Sequence, residues 1–146
     1  MNVQEIMASA VQMVEPDKDL VSAAGRMKQY DIGCVLVGYG DHLAGIVTDR
    51  DIVLRGVATG NGTNDITVSE VMTRDPAFCS VDDTVRQAAM IMEDNQVRRL
   101  PVLDAQRKVV GIVSLGDICT HAPHALSGEL IESVSTPAHH DLAEPA

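Results

Sequence analysis

Apolar side chains recur at Leu20, Ala23, Ala24 and Met27, and again at Val85, Ala88, Ala89 and Met92. Spacing of i, i+3, i+4, i+7 puts each set on one face of a helix. Asp17 and Asp82 stand ahead of these helices as candidate N-caps. Each helix is followed by two short apolar runs around a turn-forming segment. In the first case Cys34 to Val37 and His42 to Val47 flank Gly38-Tyr39-Gly40-Asp41; in the second, Leu100 to Leu103 and Lys108 to Val113 flank Asp104-Ala105-Gln106-Arg107. These predict two strand hairpins. Brief strands near Gln12-Met13-Val14 and Ala77-Phe78-Cys79 precede the helices. A helical turn opens each unit, at Asn2 to Glu5 and at Thr67 to Glu70, the latter with capping-box spacing. A closing helix is predicted from Asp49 in one unit and from near Leu115 in the other. Each half therefore reads β-α-β-β-α behind a short opening turn.

The two halves are copies. At an offset of 65 residues Glu5 meets Glu70, Met7 meets Met72, Asp17 meets Asp82 and Met27 meets Met92. After one residue is gained in a turn, the offset becomes 66, and Gly45-Ile46-Val47 meets Gly111-Ile112-Val113 while Asp51-Ile52 meets Asp117-Ile118. Repeat one runs from about residue 3 to 57 and repeat two from about 68 to 122. Between them, residues 58–66 carry Gly60 and Gly62 among polar residues and predict a flexible linker. Residues 125–135 predict an amphipathic C-terminal helix, and residues 136–146, with Pro137 and Pro145, are expected to be disordered. One copy of about 55 residues with a two- or three-stranded sheet is marginal alone. The expected fold class is α/β (α+β): two β-α-β-β-α repeats packed face to face with pseudo-twofold symmetry, forming two equivalent clefts.

Composition narrows the function classes. The chain has 146 residues, 45% hydrophobic and 2% aromatic, so its core is aliphatic. A net charge of -10 opposes a phosphate backbone, and stacking platforms for single strands are lacking, so no nucleic-acid partner is expected. No apolar run reaches the length of a membrane span and no signal peptide opens the chain; a cytoplasmic location with no membrane partner is expected. Cys34, Cys79 and Cys119 each sit among apolar neighbours and read as small buried hydrophobes rather than a disulfide framework.

Two segments carry candidate chemistry. Gly45 to Asp51 and Gly111 to Asp117 each lead a strand into a helix, with Thr48 or Ser114 three residues before Asp51 or Asp117. Hydroxyl and carboxylate converge at that spacing. The carboxylate can accept from both hydroxyls of a ribose, and the helix start offers N–H groups to phosphate. The same spacing makes a capping box, and both roles can coexist. The second segment is Gln96 to Val102, where Arg98 and Arg99 precede a strand; guanidinium groups match phosphate geometry, or pair with some of the 21 acidic residues. The first copy has Gly33 and Cys34 at these places. Arg50, whose counterpart is Gly116, either adds a second phosphate contact or faces solvent. Cys119, His121 and His124 form a weak candidate zinc set because Pro123 interrupts any helical register, and His139-His140 lies in the tail. Met90 and Ile91 replace Gly25 and Arg26 and widen one apolar arc, which either packs inside the monomer or under the C-terminal helix, or makes a self-contact and a homodimer; the alternative function is then a ligand-free interaction and dimerisation module. There is no P-loop, GxGxxG or nucleophile elbow, and no length for a catalytic domain, so no enzyme is expected.

Gly-Ile-Val-Thr-x-x-Asp (45 to 51), Val-Arg-Arg-Leu-Pro-Val (97 to 102) and Val-Met-Thr-Arg-Asp-Pro (71 to 76) resemble the motifs of tandem CBS domains, the regulatory repeats named after cystathionine β-synthase. Residues 48 to 56 resemble small stand-alone bacterial members of the hypoxic-response type. The resemblance covers roughly residues 3 to 122. It implies a non-catalytic sensor with no obligatory cofactor. Adenosine ligands such as AMP, ADP, ATP, S-adenosylmethionine or NAD would bind between the copies, and an unknown protein target would read the result. Carried over by position, one cleft would use Thr48 and Asp51 with Thr73, Pro76, Val97, Arg98 and Arg99. The other would use Ser114 and Asp117 with Ser9, Val11, Gly33 and Cys34. The arginines favour the first.

Overall fold

The computed structural model describes residues 1–136. In the first half, α1 (Val3–Ile6), β1 (Met13–Val14), α2 (Leu20–Tyr30), β2 (Cys34–Tyr39) and β3 (His42–Thr48) lead into α3 (Asp49–Asp51). The helix continues as a wider π turn over Ile52–Gly56 and a 3₁₀ turn over Val57–Thr59. The second half repeats the order with α4 (Val68–Val71), β4 (Thr73–Arg74), β5 (Cys79–Ser80), α5 (Val85–Asn95), β6 (Arg99–Leu103), β7 (Val109–Ser114) and α6 (Leu115–His121). Helix α7 (His124–Ser135) follows. The expected disorder of residues 136–146 concerns a stretch that, beyond Thr136, lies outside the described residues.

Helices α2 and α5 begin two residues later than the caps read from the sequence. Asp19 caps α2, its Oδ1 accepting from the Ser22 amide at 2.9 Å. Thr84 caps α5 in a reciprocal box with Gln87. Asp17 and Asp82 instead occupy the preceding turns, where short polar side chains serve equally well. Leu20, Ala23 and Met27 are buried as the helical stripe requires, while Ala24 is exposed. Its counterpart Ala89 is fully buried, in the half whose α5 and α6 are covered by α7 through Leu126, Leu130 and Val134.

Two mixed sheets form the frame, in the orders β1-β2-β3-β4 and β5-β6-β7. The pairing β1-β2 is parallel and β2-β3 antiparallel, with β5-β6 and β6-β7 repeating that pattern. The halves are tied by exchange. Strand β4 of the second half pairs antiparallel with β3 of the first, Ile46 opposite Thr73. Reciprocally, Ala8 of the first half bridges Ile112 in β7, with amide–carbonyl bonds of 2.9 Å both ways. These matched crossings are the pseudo-twofold relation in backbone form. At the hairpin tips, His42 bridges Lys108, and Lys108 Nζ lies 3.7 Å from Asp41.

The cores are exchanged as well. One contains Leu20, Met27, Val35, Val37, Val47 and Ile52, joined by Val68, Val71 and Met72 from the second repeat. The other contains Val85, Met92, Leu100, Val102, Val113 and Ile118, joined by Val3 and Ile6 from the first. Each opening helix thus completes the core of the other copy. Ile66, which falls in the stretch read as a flexible linker, is buried in the first core, and its carbonyl accepts from the Leu20 amide at 3.1 Å. That end of the connection is packed because a lone apolar residue there has a core within reach.

Val68→Ala is expected to destabilise the protein by about 2 kcal/mol. Hydrogen exchange should show the loss first in α2 and β3, although Val68 belongs to the second repeat. Faster exchange confined to α5 and β6 would contradict the exchanged packing.

Candidate functional site

Strand β3 ends at Thr48 and the chain turns directly into α3. The turn is held by a reciprocal box: the Asp51 amide donates to Thr48 Oγ1 at 3.1 Å, and the Thr48 amide donates to Asp51 Oδ2 at 2.9 Å. The box is therefore present, and it leaves chemistry unused. The Thr48 hydroxyl keeps its proton to donate, and Asp51 keeps its other oxygen to accept. Both side chains are half-buried. A carboxylate fixed by its own backbone presents that oxygen in one orientation, which is preorganisation for a ligand hydroxyl. Ser114 and Asp117 repeat the arrangement, with bonds of 3.1 and 2.8 Å.

The helix-start amides do not serve as the sequence suggested. The Asp49 amide donates to the Gly33 carbonyl at 2.9 Å, the Arg50 amide to Asp49 Oδ1 at 2.8 Å, and the Asp51 amide to Thr48. The first three N–H groups of α3 are satisfied internally. A phosphate at this place would have to be held by side chains.

Thr48 and Asp51 line a cavity of about 680 Å³, within the size range of small-ligand sites. Ile46, Asp49 and Arg50 complete the wall from the first half. Thr73, Pro76, Ala77, Gln96, Val97, Arg98 and Arg99 form the wall from the second. The cavity exists because β4 crosses onto β3 and carries Thr73 to the same end of the sheet as Thr48. Gln96 turns the chain in from α5 with a left-handed φ of 53°, and the Arg98 carbonyl is pinned by the Leu115 amide at 2.7 Å. The structure brings together eight residues named from the sequence: Thr48, Arg50, Asp51, Thr73, Pro76, Val97, Arg98 and Arg99. Ile46, Asp49, Ala77 and Gln96 were missed. Strand alternation would have found Ile46, which shares a face with Thr48 two residues on.

The second set is not gathered here: Ser114, Asp117, Ser9 and Val11 do not line this cavity. Gly33 lies beside Arg99 and Asp49, which line the first cleft. A Cβ on Gly33 would stand 3.1 Å from Arg99 Nη2 and 3.2 Å from Asp49 Oδ2, so the missing side chain makes room for the Arg99 guanidinium. Cys34, next along, is buried in β2 with Arg99 and Asp49 as its charged neighbours. Met90 stays 55% exposed, whereas Ile91 packs against the second core.

Two exchanged α/β halves that share a ligand-sized cleft, with a hydroxyl–carboxylate couple at the strand end of each, define a paired CBS module. The chain belongs to the CBS-domain family, whose profile matches residues 3–57 and 68–124. Hypoxic response protein 1 of Mycobacterium tuberculosis is 33% identical over 135 residues, 92% of this chain and 94% of that protein. A crystal structure of Hypoxic Response Protein I with two coordinated zinc ions matches with a TM-score of 0.75 at 35% identity, covering 84% of this chain and 100% of that one. The CBS domain-containing protein YhcV of Bacillus subtilis is 36% identical over 139 residues, 95% of this chain and 96% of that protein. The CBS domain pair of protein MJ0100, crystallised in complex with 5′-methylthioadenosine and S-adenosyl-L-methionine, gives a TM-score of 0.74 at 26% identity, over 82% of this chain and 98% of that one.

The zinc donors suggested by the sequence are not brought together. Among the described residues no three His, Cys, Asp or Glu side chains are placed to hold a metal ion. His121 Nδ1 is engaged at the end of α6, 2.8 Å from the Asp117 carbonyl and 3.0 Å from Thr120 Oγ1, and His124 opens a separate helix beyond Pro123. His139 and His140 lie outside the described residues. No described helix is long and apolar enough to cross a membrane.

The cysteines differ in burial. Burial raises the Cys34 thiol pKa, with Arg99 opposing and Asp49 adding to the shift. Burial, reinforced by Asp83, pushes Cys79 up to about 12. Both therefore stay protonated and unreactive at neutral pH, since the thiolate is the nucleophile. Cys119 is half-buried. Iodoacetamide at about pH 8 is expected to modify Cys119 first and to reach Cys34 and Cys79 only after denaturation. Native-state labelling of Cys79 ahead of Cys119, read by peptide mass spectrometry, would contradict this burial pattern.

Proposed function

We propose that the chain is a non-catalytic regulatory CBS pair that binds an adenine nucleotide or related adenosyl ligand in the Thr48–Asp51 cavity and signals its occupancy to a protein partner. The observation that carries this reading is the pair itself: Thr48 and Asp51 are locked by their own backbone at the wall of a cavity whose facing wall comes from the other half. The free Asp51 oxygen suits the two hydroxyls of a ribose. Ile46, Pro76, Ala77 and Val97 offer an aliphatic lining suited to the faces of a purine. The cavity lining contains no His and no Cys, so it holds no nucleophile–base pair of the usual kind. Adenosyl compounds bound to the MJ0100 pair support this class of ligand.

A ligand touching both walls favours the arrangement in which they are close, and so shifts the population of the paired halves. Coupling of this kind is typically about 1–3 kcal/mol. The exposed apolar side chains Met90, Val53 and Leu54 are candidate contacts for the homodimer expected from the sequence.

Asp51→Asn keeps a side-chain acceptor for the Thr48 amide but removes the charge offered to ribose. Calorimetry is expected to show AMP affinity falling about 10- to 100-fold, with circular dichroism unchanged. Unaltered affinity would remove the ribose assignment.

A further inference from the structure

We infer that Asn61 is a self-modification site. Its side-chain amide is lost by cyclisation onto the Gly62 nitrogen, and the aspartate and isoaspartate that result mark the connection between the two repeats. No ligand in the cleft is needed for this.

The chain has four asparagines, Asn2, Asn61, Asn64 and Asn95. Cyclisation uses the backbone nitrogen that follows the asparagine as its nucleophile. A nitrogen whose proton is held in a hydrogen bond must first be freed by local opening. Three of the four are held in this way. The Val3 amide donates to the Asp83 carbonyl at 2.9 Å, the Asp65 amide to the Gly62 carbonyl at 2.9 Å, and the Gln96 amide to the Glu93 carbonyl at 3.3 Å. Asn95 is tied a second time, its Nδ2 donating to the Ile91 carbonyl at 2.8 Å. Among the described residues the Gly62 amide donates to no protein acceptor. Asn61 and Gly62 are both exposed and belong to no helix or strand. Gly60 and Gly62 flank Asn61, so neither neighbour carries a side chain to obstruct the approach or to narrow the backbone angles it requires.

The step balances with water as its one co-reactant. The Gly62 nitrogen gives up its proton and bonds to the side-chain carbonyl carbon of Asn61. The bond from that carbon to Nδ2 breaks, and Nδ2 leaves with the proton as ammonia. Water then opens the five-membered succinimide ring at either of its carbonyl carbons. Opening at the side-chain carbonyl restores the backbone and leaves aspartate. Opening at the main-chain carbonyl leaves isoaspartate, with the chain routed through the side-chain carbon.

The change falls where the repeats are joined. Isoaspartate adds a methylene to the main chain immediately before Gly62, whose carbonyl holds the Asp65 amide. Asp65 adjoins Ile66, which is buried in the first core. Either product adds a negative charge to a chain already at -10.

The test is ageing of the purified full chain at physiological temperature and neutral pH, beside the same chain unfolded in guanidinium chloride. Peptide mass spectrometry follows the conversion of each asparagine to acid and separates aspartate from isoaspartate. Asn61 is expected to convert at least about tenfold faster than Asn2, Asn64 or Asn95 in the folded chain. Its folded rate should lie within about threefold of its unfolded rate. Isoaspartate should accumulate along with aspartate at this position. Gly62→Ala should slow conversion at Asn61 at least about tenfold. Gly62 is outside the left-handed region and only the Asp65 carboxylate crowds its Cβ position, so circular dichroism of that variant should be unchanged. Conversion at Asn61 no faster than at Asn64, or a folded rate at least about tenfold below the unfolded one, would overturn the site. Aspartate without isoaspartate would exclude the ring, and an unchanged rate in Gly62→Ala would remove Gly62 from the chemistry.

Discussion

The crossing of Thr73 and Arg74 onto Gly45 and Ile46, matched by Ala8 on Ile112, is the constraint on which the rest of this molecule depends. It is a close approach of two backbones. A Cβ at Gly45 would lie 2.7 Å from the Thr73 carbonyl oxygen and 2.6 Å from Met72 Sδ, and one at Gly111 would lie 2.9 Å from the Ala8 carbonyl oxygen and 2.5 Å from Met7 Sδ. Only glycine permits contact that close. The glycine that opens each Gly-Ile-Val motif is thus there to let the other copy in. Once it does, each opening helix reaches the opposite core, and neither half has a complete interior without its twin. The duplication completes both cores, and the cleft is a consequence of how the two copies interlock.

The same crossing makes the cavity sensitive to how the halves sit. Thr48 and Asp51 end a strand of the first half, and Thr73 rides on a strand of the second that is hydrogen-bonded to it. Arg98 precedes β6 and Arg99 opens it, and that strand shares no pairing with β3. One part of the wall is therefore paired directly with the strand that carries the hydroxyl–carboxylate couple, and another is not. In the function proposed above, a ligand that spans both parts would couple its occupancy to their relative position. The couple itself is inexpensive to maintain, since the capping bonds that hold it would be needed to start the helix anyway.

Much of this was legible in the sequence. The offset repeat, the hairpins and the Thr-x-x-Asp and Ser-x-x-Asp boxes follow from local spacing, and local spacing survives into structure. The exchange of α1 and α4 was not legible. Both copies carry the same apolar pattern, so Val3 fits either core equally well on paper, and only the connection lengths decide. Ile66 was lost among polar linker residues because a single apolar residue has no periodicity. The caps at Asp19 and Thr84 lay two residues from equally plausible acceptors. The residues named for the first cleft line one cavity because they sit at motif positions, while Asp49 and Gln96 enter its lining through backbone geometry that no motif encodes. The phosphate role given to the helix start failed because the Gly33 carbonyl and the Asp49 and Thr48 side chains claim those amides first.

The central claim is that one cleft, walled by both copies, holds an adenine nucleotide with its ribose on the Thr48–Asp51 couple. A crystal structure of the full chain grown with ADP tests it most directly. The account predicts density in the Thr48–Asp51 cavity, with the ribose hydroxyls on Asp51. ADP bound elsewhere, or bound there with its ribose turned away from Asp51, would contradict it.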